Sequence, residues 1–262
     1  MPEETILTTQ EYKNKAEAEK QATDEATRTY DDLVAALILI ALSEKSKGEK
    51  YQLINKYEAK IRDFNADFAR RHVENAYEKF SKEAIKDIQK FEKITGTKLK
   101  TLDSTQKAEM KNLVDQMENR LNRRLGTLIE DAKRLVLKED LKKIREKKMG
   151  VKKSVDNTQI TPKKSKPDLV FTNSQGKVVK MKAVMKVTVG DQIWQTIFDA
   201  KRATYLKLGY RYVRHISVID SVTTPLCRSL HRKIRDLLKD KIPPLHYGCR
   251  SVIELLPKTF KP

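Results

Sequence analysis

Apolar residues along the first half of the chain recur at helical spacing. After a break at Ser46-Lys47-Gly48, Ile54, Tyr57, Ile61, Phe64 and Phe68 follow one another at steps of three and four. The pattern resumes at Val73, Tyr77, Phe80, Ala84, Ile88 and Phe91. A second series, Met110, Val114, Met117, Leu121, Leu125, Leu128, Ala132 and Leu135, opens after the candidate cap Asp103 or Ser104. Such spacing lays one face of a helix against other helices. Residues 8–148 therefore read as three long helices in an elongated antiparallel bundle. The first is expected from about Thr9 to Ser43, and the second is expected to end at Thr95-Gly96-Thr97, where Gly96 suits a left-handed cap. Leu33 to Leu42 is an unbroken apolar run of ten residues, half of what a helix needs to cross a bilayer, so burial in the bundle is expected and no membrane contact.

The pattern changes at Gly150. Val151–Pro167 is polar, Lys-rich and carries two prolines, as a linker does. Leu169–Thr172 and Lys177–Met181 flank Asn173-Ser174-Gln175-Gly176 as a hairpin would. A helix is predicted from Gly190 to Leu208, stopped by Gly209. Arg211–Ile219 alternates as a strand, with Tyr212, Arg214, Ile216 and Val218 on one face. A short helix around Leu226–Lys239, Pro243-Pro244 and a last strand near Val252–Leu255 complete the chain. The expected fold class is mainly α with a small α+β C-terminal domain: a helical bundle over 1–148, a basic linker over 149–167 and a compact α+β module over 168–262.

Charge adds a direction. The 262 residues carry 55 Lys and Arg against 36 Asp and Glu, a net charge of +19. Residues 1–32 hold nine acids and four bases, whereas 141–182 hold thirteen bases and three acids. An excess of this size favours polyanionic neighbours, nucleic acid or an acidic protein surface. The candidate phosphate contacts are Lys142, Lys143, Arg145, Lys147, Lys148, Lys152, Lys153, Lys163, Lys164 and Lys166, through counterion release on double-stranded DNA. The acidic start Met1-Pro2-Glu3-Glu4 does not read as a signal peptide, and two cysteines do not make a secreted disulfide scaffold, so synthesis in a reducing cytoplasm is expected.

Enzyme chemistry finds little support. No glycine loop for phosphates, zinc-protease His-Glu pair or Gly-x-Ser-x-Gly elbow occurs, and His72 reads as a surface or partly buried histidine. Cys227, His246 and Cys249 have spacing that allows convergence on a metal, since His246 and Cys249 chelate from one loop. A structural zinc wants a fourth ligand, and only His215 or His231 is available, without motif-like spacing. Buried free thiols are the competing reading, and a disulfide is disfavoured by compartment. The expectation is no bound metal and no cofactor.

The ordered series Tyr210–His215, Asp220, Thr223-Thr224-Pro225-Leu226-Cys227 and Pro243-Pro244-Leu245-His246-Tyr247-Gly248-Cys249-Arg250 resembles the C-terminal domain of the Mu F-like phage head morphogenesis family. That family shows a strand ending in Asp, a Thr-Cys-Pro-x-Cys turn and a closing Pro-Pro-x-His-Pro-x-Cys-Arg-Cys. Asp220, Thr223, Pro225, Cys227, Pro243, Pro244, His246, Cys249 and Arg250 are kept. Thr224, Tyr247 and Ser251 depart from it, so two of the four family cysteines are missing. The resemblance covers roughly the last 75 residues. It implies a non-enzymatic virion component, bound to the portal protein and retained at the portal vertex inside the head, after assembly in the host cytoplasm. There it would act in head assembly, DNA packaging or ejection, with scaffold or major capsid protein as further neighbours. Asp220 and Arg250 are expected to pair and pin the closing loop. Two other readings stand beside it: a free-standing basic DNA-organising protein, and an enzyme, because Mu F-like domains also occur joined to toxin or nuclease domains.

Overall fold

The computed structural model describes residues 3–92, 102–148, 171–172, 178–246 and 248–262. The fold is mainly α with a small antiparallel sheet near the C-terminus. Three helices, α1 (Glu3–Leu42), α2 (Lys47–Gln89) and α3 (Ser104–Lys148), account for the first half. At about 1.5 Å per residue, α2 and α3 are each roughly 65 Å long.

The boundaries have local causes. Ser46 caps α2 in a full capping box with Glu49. At α3, the Gln106 backbone N–H donates to Asp103 Oδ1 at 2.9 Å, which makes Asp103 the cap. α2 ends at Gln89, capped at Lys90, earlier than the expected stop at Thr95-Gly96-Thr97. Residues 93–101 lie outside the described residues, as does 149–170, which contains the expected linker.

Cross-helix bonds fix the directions. Asn14 meets Glu83, Glu25 meets Arg71, and the Lys50 ammonium donates to the Ala41 carbonyl, so α1 and α2 run antiparallel. Tyr77 meets Glu109 and Asn65 meets Asn122, so α3 runs antiparallel to α2. The core holds the expected Ile54, Ile61, Phe68, Val73, Tyr77, Phe80, Met117, Leu121, Leu125 and Leu128. Phe91, read as part of that face, is 45% exposed. Mid-bundle, the Tyr30 hydroxyl donates to the Leu121 carbonyl at 2.9 Å and lies 3.2 Å from Asn65 Oδ1, a polar layer that fixes register. The apolar run of α1 is only half used. Leu33, Leu37, Ile40 and Ala41 are buried, while Leu39 and Leu42 stay exposed. Among the described residues no helix is long and apolar enough to cross a membrane.

The module boundary expected at 168 is not where packing changes. β1 (Phe171–Thr172) and β2 (Val178–Val179) pair antiparallel. The chain then enters α4 (Met181–Met185), a π-helical turn at Lys186–Gly190 and α5 (Asp191–Lys207). The predicted helix thus begins earlier, at the residue where the strand was to end. Val184, Met185, Val189, Ile193, Ile197 and Ala200 join the bundle core, making 181–207 its fourth helical layer. Gln192 meets Gln116 and Gln106 meets Thr204, so α5 runs antiparallel to α3. At Gly190 an added Cβ would lie 3.0 Å from Glu19 Oε1, and Glu19 is held in place by the Trp194 indole N–H at 2.7 Å.

α5 has a second apolar face. Trp194, Phe198 and Tyr205, with Ala84 and Ile88 of α2, pack on Tyr210, Val213, Leu237, Ile242, Ile253 and Leu255. Gly209 ends the helix at φ +80°, with Gly209 N–H bonded to the Leu206 carbonyl and Tyr210 N–H to that of Tyr205. Those two bonds are the Schellman arrangement, which requires the left-handed residue. The sheet is β4-β3-β5, with β3 (Tyr212–Ile216) central, β4 (Ile234–Asp236) and β5 (Val252–Leu255) at its edges, all antiparallel. Tyr212, Arg214 and Ile216 do share a face, but the fully buried face is the other, Val213 and His215. The single helix expected over Leu226–Lys239 is instead α6 (Pro225–Leu230), a turn with Arg232 at φ 63°, and β4. Ile234-Arg235-Asp236 suits a helix locally, but the unpaired edge of β3 takes it as a strand, a tertiary override of propensity.

Candidate functional site: a Cys-His-Cys cluster tied by an Asp-Arg pair

The residues that carry the resemblance converge where β3, α6 and the loop before β5 meet. β3 runs out at Ser217, whose hydroxyl is the hub. It donates to the Cys227 carbonyl at 2.6 Å, and it lies 3.1 Å from both Ser251 Oγ and His215 Nε2. A hydroxyl has one proton, so with that proton on the Cys227 carbonyl, His215 must donate from Nε2. Burial, then the charge of Arg235 and the neighbouring His231, hold its pKa down at about 4. His231 Nδ1 accepts from the Ser217 N–H at 3.1 Å.

Asp220 follows. Both of its carboxylate oxygens accept from the Arg250 guanidinium, at 2.6 and 2.5 Å, and the Val222 N–H and Thr223 hydroxyl add to Oδ1. Arg250, then Thr223 and Val222, hold the carboxyl well below the usual carboxylate range. The Arg228 guanidinium donates to the Asp220 carbonyl at 2.8 Å, tying α6 to the same loop. The expected pairing of Asp220 with Arg250 is thus present as a bidentate fork.

Thr224 is the N-cap of α6 and Pro225 its first residue, an arrangement suited to both residue types. The cap presents Cys227 inward. Its sulfur lies 3.0 Å from His246 Nε2 and 3.7 Å from Cys249 Sγ, and Thr224 Oγ1 is 3.1 Å from the same Nε2. The three potential ligand atoms all lie within 4.8 Å of one another. Both cysteines are buried and unoxidised. Burial pushes the Cys227 thiol up, but hydrogen bonds with Ser251, Thr224, His246 and Cys249 outweigh it and the net direction is down. At Cys249 burial prevails and the thiol is raised. Pro243 is buried, the Pro243-Pro244 bond is cis, and Gly248 at φ +66° reverses the chain between His246 and Cys249. Asp191, at the start of α5, accepts from the Gly248 N–H and so joins this loop to the bundle.

Of the proposed fourth ligands, His215 and His231 both turn to Ser217 and neither joins the cluster. The positions that do surround the thiols are Thr224 and Ser251, the two where the family pattern has cysteine. Ser217 and His215 carry the hub; His215 reads in the sequence only as a candidate fourth ligand, and Ser217 escapes sequence reasoning because a single Ser after a strand is no signal. A groove of about 440 Å³ lined by Glu78, Lys82, Gln106, Lys107 and Lys207, among others, contains none of the motif residues. His72 is mostly buried and meets Glu25 at 2.8 Å, a bundle contact.

Among the candidate phosphate contacts, Lys142 and Lys143 are exposed near the end of α3, and Lys143 is paired with Glu44 at 3.2 Å. Arg145, Lys147 and Lys148 fall in the last turns of that helix. Lys152, Lys153, Lys163, Lys164 and Lys166 lie outside the described residues. The motif region also presents Val218, Ile219, Val222 and Leu226, all 41% exposed or more. No family model, curated protein or solved structure matches the chain.

Proposed function

We propose that this chain is a non-enzymatic structural component of a tailed-phage head, a minor head protein working between the portal protein and packaged DNA. The observation that carries the reading is the convergence of the motif. Asp220, Thr223 and Cys227 meet His246, Cys249 and Arg250 in one cross-linked knot across up to 30 positions of sequence. A bidentate pair and a buried sulfur cluster hold it rigid without needing a catalytic role. The knot presents the exposed Val218, Ile219, Val222 and Leu226 beside a long bundle. A rigid apolar patch suits docking to a protein partner. The net charge of +19 suits a neighbour in a polyanion.

The test is co-purification of the full chain with the portal protein of the same phage, with DNA binding followed across a salt series. Portal capture that persists at high salt, with DNA binding that falls steeply, is expected. DNA binding without portal capture would favour a free-standing DNA-organising protein instead. DNA cleavage in the presence of divalent metal would return the enzyme reading.

A further inference from the structure

We propose that Cys227, His246 and Cys249 bind one thiophilic divalent ion of the zinc class, through two thiolates and one imidazole. Sequence spacing allows these three to converge on a metal, but it weighs against a bound ion because no fourth ligand has motif-like spacing. The geometry changes that weighting.

Two metal–sulfur bonds of about 2.3 Å at a tetrahedral angle set their sulfurs about 3.8 Å apart. Cys227 and Cys249 stand at 3.7 Å. A disulfide would need its sulfurs at about 2.05 Å, far closer than this. The same bond lengths put an imidazole nitrogen about 3.6 Å from each sulfur. His246 Nε2 is 3.0 Å from Cys227 Sγ, so it must withdraw by roughly half an ångström to admit the ion. His246 is partly buried and sits in a loop whose turn is closed by the Cys249 N–H on the His246 carbonyl, so that adjustment is local. Thiolate and imidazole donors select zinc-like ions over magnesium or calcium.

The surroundings are those of a prepared site. The Cys227 backbone is fixed by the Thr224 cap and by the Ser217 hydroxyl on its carbonyl. The Ser251 hydroxyl bonds both thiols and is itself held by Ser217. Three protein ligands leave a fourth position, next to the Thr224 and Ser251 hydroxyls, for a water molecule. Binding releases one proton from each thiol, and two thiolates balance the divalent charge. The ion would clasp α6 to the 243–250 loop, the same two segments that Asp220 and Arg250 already join. The site is independent of the assembly role, since an ion can bind whether or not the portal does.

The experiment is a cobalt titration of the reduced, chelator-stripped full-length protein. One Co²⁺ per chain is expected, with a thiolate-to-cobalt charge-transfer band and visible bands of tetrahedral intensity, both lost on adding Zn²⁺. Cys249→Ser should weaken binding by about tenfold or more. Ser251→Cys adds a third thiolate and should tighten binding by about tenfold or more, an arm that survives if Cys249→Ser fails to fold. Absence of the charge-transfer band in folded protein with two titratable thiols would overturn the proposal. So would a Ser251→Cys variant that binds cobalt no better than the parent.

Discussion

The bundle and the C-terminal knot are held by different chemistry. In the bundle, stability is spread over many apolar contacts: Tyr30, Phe68, Leu121 and Ile197 are all buried, and no one of them defines the fold. In the knot, a handful of specific pairs do the holding, Asp220 with Arg250, Ser217 with Cys227, Cys227 with His246. The difference teaches where each kind of change will be felt. A lost methylene costs the bundle in proportion to volume, whereas a lost donor in the knot releases a loop. α5 is the joint, apolar toward the bundle at Ile193 and Ile197 and toward the sheet at Trp194 and Phe198.

The largest effect is expected in the bundle. Phe68→Ala removes a fully buried ring and should destabilise by about 3–5 kcal/mol in denaturant unfolding. Because α5 carries the sheet, both regions should unfold together in that variant. Separate transitions would break the joint that α5 supplies.

Acid should load the two regions unequally before either unfolds. The His215 pKa of about 4 lies below its unfolded value near 6.5, so the unfolded chain takes up a proton first as pH falls. Its contribution is full above pH 6.5 and is lost toward pH 4, by up to about 3 kcal/mol. His231, also lowered chiefly by burial, acts in the same direction. Asp220, lowered chiefly by Arg250, adds a further loss below its unfolded pKa. Two buried bundle carboxyls respond in the opposite sense, whereas Asp24 and Asp67, lowered chiefly by their bonds to Lys182 and Arg70, do not. Burial raises Glu109 and Asp199, so protonation relieves a cost there. Tryptophan fluorescence and backbone circular dichroism between pH 7 and 4.5 should show the sheet loosening while helix content holds. Loss of helix at the same pH as the sheet would contradict this assignment of charges.

A smaller, local effect is expected from Arg250→Ala. Amide exchange should accelerate over 218–224 and 248–251, with little change in α2 or α3. Unchanged protection there would mean that the fork does not hold the loop. Smallest in stability is Val222→Asp, at an exposed site, expected to stay within about 0.5 kcal/mol of the parent in thermal unfolding. The same variant should lose portal capture, which makes it the sharpest divider between folding and docking.

Sequence legibility follows the same division. Long runs at steps of three and four place α2 and α3 and most of their core, and a cap at Asp103 or a stop at Gly209 can be read directly because each solves a local backbone problem. The fourth helical layer was less visible. The π-helical turn at Lys186–Gly190 interrupts the period between Met185 and Ile193, so 181–207 reads as part of the later module. β4 was hidden because its three residues gain strand geometry only from the neighbouring β3 edge. In the knot, the Asp220–Arg250 pair was legible from the motif, while the Ser217 hub was not. Serine at a strand end signals nothing until the Cys227 carbonyl and Ser251 are seen beside it.

The most direct measurement is amide exchange of the full-length protein alone and with saturating portal protein. The account predicts added protection over 218–226 and the 248–251 segment, with the middle of α1, α2 and α3 unchanged. Protection confined to the bundle, with 218–226 exchanging as in the free protein, would contradict it.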